Sequence, residues 1–140
     1  GSVFMRMAVQ YAASRGVTIV AAAGNSGGSV GYPAAYPGAI AVAASDSQDK
    51  IAPFSSRGKE VEFIAPGVGV RSSLPGGSFD SFSGTSMASP HVAGMAALAV
   101  ASGAKGPDAV RAKLAGAARS IGLPAAQQGR GMIDAEAVVR

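Results

Sequence analysis

Cysteine is absent from the 140 residues, which excludes a disulfide framework and any thiolate metal site. Charge is scarce: Asp, Glu, Lys and Arg together make 14% of the chain, and a single histidine is present. Twelve basic residues against eight acidic ones give a net charge of +4. The basic residues stand singly, as at Arg6, Arg15, Lys50, Arg57, Lys59, Arg71 and Lys105, so no run tracks a phosphate backbone and nucleic-acid binding has no support. No apolar run reaches the roughly 20 residues that a membrane span requires, and the opening residues carry no leader pattern. Repeats and low-complexity linkers are also lacking. What is plentiful is small and apolar. Apolar residues make up 48% and aromatics only 6%, so the interior is expected to pack tightly through short side chains. The length is that of one ordinary domain.

Periodicity divides the chain into alternating helices and strands. Val3 to Arg15 reads as an amphipathic helix with Met7, Ala8, Tyr11 and Ala12 on its buried face, ended by Gly16. Val17–Ala23 is a continuous apolar run of strand length, as expected of a strand covered on both faces in a parallel sheet. Further strands are predicted at Ala39–Ala43, Val61–Ala65 and Val70–Leu74, with Ser78–Ser83 as a hairpin arm and Asp46–Lys50 as a polar turn. The Tyr32-Pro33 and Tyr36-Pro37 steps fix a loop and are candidate cis bonds. A helix starting near Pro107 buries Val110, Leu114 and Ala117/Ala118, and a short one closes the chain over Ala135–Val139.

Two stretches carry candidate chemistry. Gly84–Gly94 (GTSMASPHVAG) sets a hydroxyl pair behind a glycine and ahead of an apolar run that Gly103 stops. Ser86 is predicted at or just before a helix's first turn, with Pro90 inside the start, where its missing N–H costs little. Unpaired N–H groups and the positive end of the helix dipole there favour an oxygen that becomes negative. A Thr-Ser pair before a helix is more often only an N-cap. The second stretch, Gly24-Asn25-Ser26-Gly27-Gly28, follows the Val17–Ala23 strand at its carboxyl end, where open α/β sheets gather their sites. On its own Asn25 reads as a turn residue.

The run GTSMASPHVAG resembles the nucleophile segment of subtilisin-like serine proteases almost letter for letter. AAAGNSG, Ala21–Gly27, resembles their oxyanion-hole segment in the same chain order. Phe54–Gly58, Ala65-Pro66-Gly67 and Gly129-Arg130-Gly131 resemble further passages of that family, so the likeness spans essentially the whole chain. The resemblance implies an α/β fold, a doubly wound and mainly parallel sheet flanked by helices, of which residues 1–140 are the C-terminal part. It implies Ser86 as nucleophile, the Asn25 amide and Ser86 N–H as oxyanion donors, and Thr85 as support for the loop. Gly24 and Gly31 would border the substrate pocket, Gly31 leaving room for a large side chain. The backbone carbonyls of Ala34, Tyr36 and Ala39, with Glu62 nearby, would hold calcium or sodium, since hard cations need several oxygens at once.

Acyl transfer by serine also needs a base and an acid that orients it, in the chain order Asp, His, Ser for this family. The one histidine, His91, follows Ser86 by five positions, about 140° away on a helix, and matches a structural histidine of the family. Asp46 and Asp49 lie in a polar turn where the family keeps no catalytic acid. The extended strands that grip a peptide by strand addition have no counterpart either. The expected arrangement is therefore a serine endopeptidase whose Asp and His come from an N-terminal chain of the same protease. That arrangement leaves one edge of the Val17–Ala23 strand bare without its partner. Peptide or protein substrates, a propeptide or protein inhibitor as further partner, and secretion all follow from the resemblance. The alternative is an inactive binding or scaffold module of the same fold; the retained Asn25, Thr85 and Ser86 speak against it.

Overall fold

The computed structural model describes residues 1–140. Helix α1 (Val3–Ser14) starts at Ser2, whose Oγ accepts the Met5 N–H at 3.1 Å. Strand β1 (Ile19–Ala22) then runs parallel to β2 (Ala39–Ser45), and β2 parallel to β3 (Val61–Pro66), in the order β1-β2-β3. The hairpin β4 (Val70–Ser73) and β5 (Phe79–Phe82) leads into the long helix α2 (Thr85–Ala101), followed by α3 (Gly106–Ala117). A two-residue pairing of β6 (Ala118–Arg119) with β7 (Met132–Ile133), the single turn α4 (Ala125–Gln128) and α5 (Ala135–Val139) close the chain.

All seven residues of β2 are buried, and side-chain alternation sorts them into two cores. Ile40, Val42 and Ala44 join Phe63 and Ala65 beneath α2, α3 and α5, which contribute Val92, Ala96, Leu114 and Val138. Ala39, Ala41 and Ala43 face the other way, with Val61, Ile64, Ala21 and the α1 residue Val9. Helices on both faces of a parallel sheet are the predicted doubly wound arrangement. The alanines on the second face keep that layer thin, as the composition implied.

Two expectations change. The strand covered on both faces is β2; β1 spans only Ile19–Ala22, with one residue of its four buried, because it pairs on a single side. In α1 the row facing the sheet is Val9, Ala12 and Ala13, while Met7, Ala8 and Tyr11 stand in solvent. Val9 presses into the space above Gly38, where an added Cβ would meet its Cγ1 at 2.8 Å. Both rows have helical spacing, and in a helix this apolar the period does not choose between them. The Tyr32-Pro33 bond is cis, one of the two predicted candidates.

The coverage is uneven in a way that bears on function. Helix α2 is apolar all round, the pattern of a helix enclosed by protein, yet Ala93, Gly94, Ala97, Leu98 and Val100 are exposed. On the β1 side Phe4 is 85% exposed and Tyr11 69%. No helix is long and apolar enough to cross a membrane.

Candidate active site

The chain leaves β1 through Ala23 and reaches Gly24 and Asn25 at the carboxyl end of the sheet. The same end receives the N-terminus of α2. Gly84 caps this helix with φ 159° and ψ 160°, a backbone corner essentially restricted to glycine. Thr85 follows, wholly buried. Its hydroxyl accepts the Gly24 N–H at 3.1 Å and donates to Asn25 Oδ1 at 2.8 Å. The Thr85 N–H donates to the same Oδ1, also at 2.8 Å. Two donors on Oδ1 fix the amide plane and leave Nδ2 turned to the open side. A Cβ built on Gly84 would lie 3.5 Å from Asn25 Nδ2 and 3.6 Å from Ser86 N, so both donors border one small space. The Ser86 N–H belongs to the first turn and has no intrahelical acceptor.

Ser86 is the second residue of α2 and is exposed. Pro90 lies deeper than expected, beyond the first turn. It removes the N–H that would otherwise reach the Ser86 carbonyl, a cost the sequence pattern had placed outside the helix's bonded part. Ser86 and His91 border one cleft of about 350 Å³ with Val70, Phe82, Met87 and Pro90. His91 does not bond Ser86: its Nδ1 lies 2.8 Å from the Met87 carbonyl, which can only accept, so Nδ1 carries the proton. The ring is exposed, hydrogen-bonded as expected but not packed. No carboxylate backs it in any ion pair or hydrogen bond.

The Gly24–Gly31 loop is held by the segment before β3. Ser56 N–H donates to the Gly24 carbonyl, Gly27 N–H to Phe54 and Arg57 N–H to Gly28, each at 2.8 Å. Gly31 N–H donates to the Ala23 carbonyl at 2.8 Å, and a Cβ at Gly31 would meet only that oxygen, at 3.7 Å. A Cβ at this position would make only ordinary van der Waals contact.

Ala34, Tyr36 and Ala39 line a cavity of about 220 Å³ with Lys59, Glu60 and Glu62. Carbonyls and two carboxylates are the donor set of a hard cation, and in kind these oxygens fit one, although the Lys59 ammonium shares the lining and opposes it. Glu62 is already engaged: Arg111 donates through Nε at 3.1 Å and lies 3.0 Å away through Nη2, which also reaches the Pro37 carbonyl at 3.1 Å. The Tyr36 carbonyl accepts the Ala39 N–H at 2.9 Å. No cluster of three or more His, Asp or Glu side chains exists in the chain. Sequence reasoning missed Glu60 and Arg111. The Glu60/Glu62 spacing of two was a readable signal at a strand start, whereas Arg111 reaches Glu62 from α3, far along the chain.

The model of the Subtilase family matches residues 1–132. Alkaline elastase YaB of Bacillus sp. (strain YaB) is 46% identical over 142 residues, covering all of this chain and 37% of that protein. Subtilisin of Bacillus pumilus is 43% identical over 146 residues, all of this chain and 53% of the relative. Subtilisin Savinase of Lederbergia lenta is 45% identical over 141 residues, 99% of this chain and 52% of its own length. The chain thus spans about half or less of the length of these relatives.

Proposed function

The chain belongs to the subtilase family, and from that premise we propose that it carries the nucleophile and oxyanion donors of a subtilisin-type serine endopeptidase. Ser86 Oγ attacks the scissile carbonyl, and the Ser86 N–H and Asn25 Nδ2 take the developing oxyanion. Such donors act strongly because they are in place before charge appears. The observation that carries this reading is the double hydrogen bond from Thr85 to Asn25 Oδ1, which presents Nδ2 beside the Ser86 N–H. Gly24 and Gly31 border the pocket for the substrate side chain.

Residues 1–140 are the C-terminal part of one peptidase domain, and an N-terminal chain of the same protease supplies the His that takes the Ser86 proton and the Asp that orients it. Three features support this. His91 is turned to the Met87 carbonyl, the outer edge of β1 is unpaired, and an apolar face of α2 is uncovered. Calcium or sodium is proposed for the cavity of Ala34, Tyr36, Ala39, Glu60 and Glu62, and its binding competes with Arg111 for Glu62. Substrates are peptides or proteins, a propeptide or protein inhibitor is the further partner, and the protein is secreted.

The test is hydrolysis of a peptide substrate by this chain co-expressed with the N-terminal segment of its gene. Activity that depends on both pieces and disappears in Ser86→Ala is the expected result. Activity surviving Ser86→Ala overturns the assignment, and no activity from the joined pieces favours an inactive scaffold.

A further inference from the structure

The turn leaving β3 touches the candidate nucleophile loop at two residues: the Gly69 N–H donates to Ser83 Oγ at 2.9 Å, and Gly67 makes the contact nearer to Ser86. The Gly67 N–H donates to the Ser45 carbonyl at the end of β2, at 2.9 Å, and the Gly67 carbonyl accepts the Gly84 N–H at 2.7 Å. The Gly84 carbonyl in turn accepts the Met87 N–H at 3.0 Å, in the first turn of α2. Backbone bonds therefore run from the carboxyl end of β2 to the residues on either side of Ser86. There is no slack in this line. A Cβ on Gly67 would stand 2.5 Å from Ala44 Cβ and 2.8 Å from the Gly84 oxygen, both far inside van der Waals contact. Gly67 does not have a positive φ, so space and not backbone conformation is what demands glycine here.

We propose that Gly67 is a positioning residue for Ser86, the missing side chain allowing Gly84 to hydrogen-bond closely to a turn that Gly67 ties to the end of β2, and so fixing where Ser86 stands relative to Asn25. This rests on the reading of Ser86 as nucleophile. The two close approaches have different consequences. Ala44 is a wholly buried strand residue, so that overlap disturbs the core. The Gly84 oxygen belongs to the N-cap of α2, two residues before Ser86, so that overlap displaces the nucleophile. Misplacement of a reacting group by about 1 Å can cost on the order of 10²-fold in rate.

The experiment compares Gly67→Ala, Ala44→Gly and the double variant Ala44→Gly/Gly67→Ala in the full-length protease, by melting temperature, kcat, KM and the rate of phosphonate labelling. The double variant removes the severe core overlap with the Ala44 Cβ, leaving a milder approach to the Cα of residue 44 at 3.3 Å, and keeps the loop overlap. Its melting temperature should return to that of Ala44→Gly, while kcat and labelling stay roughly ten- to a hundredfold below it and KM changes less than about twofold. A double variant with the kcat of Ala44→Gly overturns the proposal and leaves Gly67 a packing residue only, as does one whose kcat loss is matched by a melting temperature still at the Gly67→Ala level. An unsubstituted protease that neither cleaves nor labels fails at the earlier step and refutes the function, separately from Gly67.

Discussion

Replacing Thr85 by valine keeps the side-chain outline and removes the hydroxyl that joins the two halves of the site. In the native site this hydroxyl satisfies the Gly24 N–H and holds Asn25 Oδ1. Valine leaves the Gly24 N–H without its acceptor. An unsatisfied buried donor costs about 1–3 kcal/mol, and because Gly24 is only half-buried the lower part, about 1–2 kcal/mol, is expected. That corresponds to roughly 2–8 °C in melting temperature. Asn25 keeps one of its two bonds, from the Thr85 N–H, so the amide loosens without being released. Complete loss of such a donor costs about 10²–10³ in kcat, a magnitude established on a subtilisin itself and not worked out from this structure. Thr85→Val should lose less, roughly tenfold. Thr85→Ser keeps both bonds and gives up one methyl, about 1 kcal/mol, with kcat nearly unchanged. Thermal melts and steady-state kinetics on the three proteins decide. A valine variant with native kcat, or a serine variant as slow as valine, would refute the argument that the hydroxyl orients Asn25.

Further predictions concern stability. Ser45 Oγ is wholly buried with no hydrogen-bond partner, so Ser45→Ala should leave the denaturation midpoint unchanged or raise stability by up to about 1 kcal/mol; a loss above about 2 kcal/mol would reveal a partner. Leu114, fully enclosed between α3 and the sheet, should cost about 2–5 kcal/mol as Leu114→Ala in urea unfolding. The Lys50 N–H first, then the Gln48 N–H, hold the Asp46 carboxyl below its ordinary range; desolvation works against them, and the Lys50 charge, the least of the causes, adds to the lowering. A lowered folded-state pKa means stability that is present above about pH 4 and is lost as pH falls through the lowered value. Asp46→Asn should therefore melt below the unsubstituted protein by a constant margin from pH 8 to pH 5, and the margin should close below about pH 4.

What the sequence disclosed depended on how local the cause was. The β2 strand, the α3 stripe at Val110, Leu114 and Ala117, and the last helix over Ala135–Val139 were legible because each follows from a period or a cap. Ser86 and Asn25 were legible through the wording of their motifs, and the structure brings their segments together through Thr85. The α1 face was misassigned because nearly every residue in that helix can sit against an alanine-rich sheet. The two-residue β6–β7 pairing is too short to have a period. Pro90 read as a helix opener because it follows a helix-start signal closely, yet Gly84 fixes the start earlier. The grip of Arg111 on Glu62 and the contact of Gly67 with Gly84 join residues distant in the chain, and neither leaves a trace in spacing. Such contacts exist only once the sheet has formed.

The central claim is that Ser86 is a nucleophile served by the Asn25 amide. Its most direct test is to treat the full-length protein with a serine-directed phosphonate and locate the adduct by peptide mass mapping, with Asn25→Ala in parallel. A single adduct on Ser86, formed at least tenfold more slowly in Asn25→Ala, is the predicted result. An adduct on another serine, or a Ser86 adduct formed at the same rate without Asn25, would contradict it.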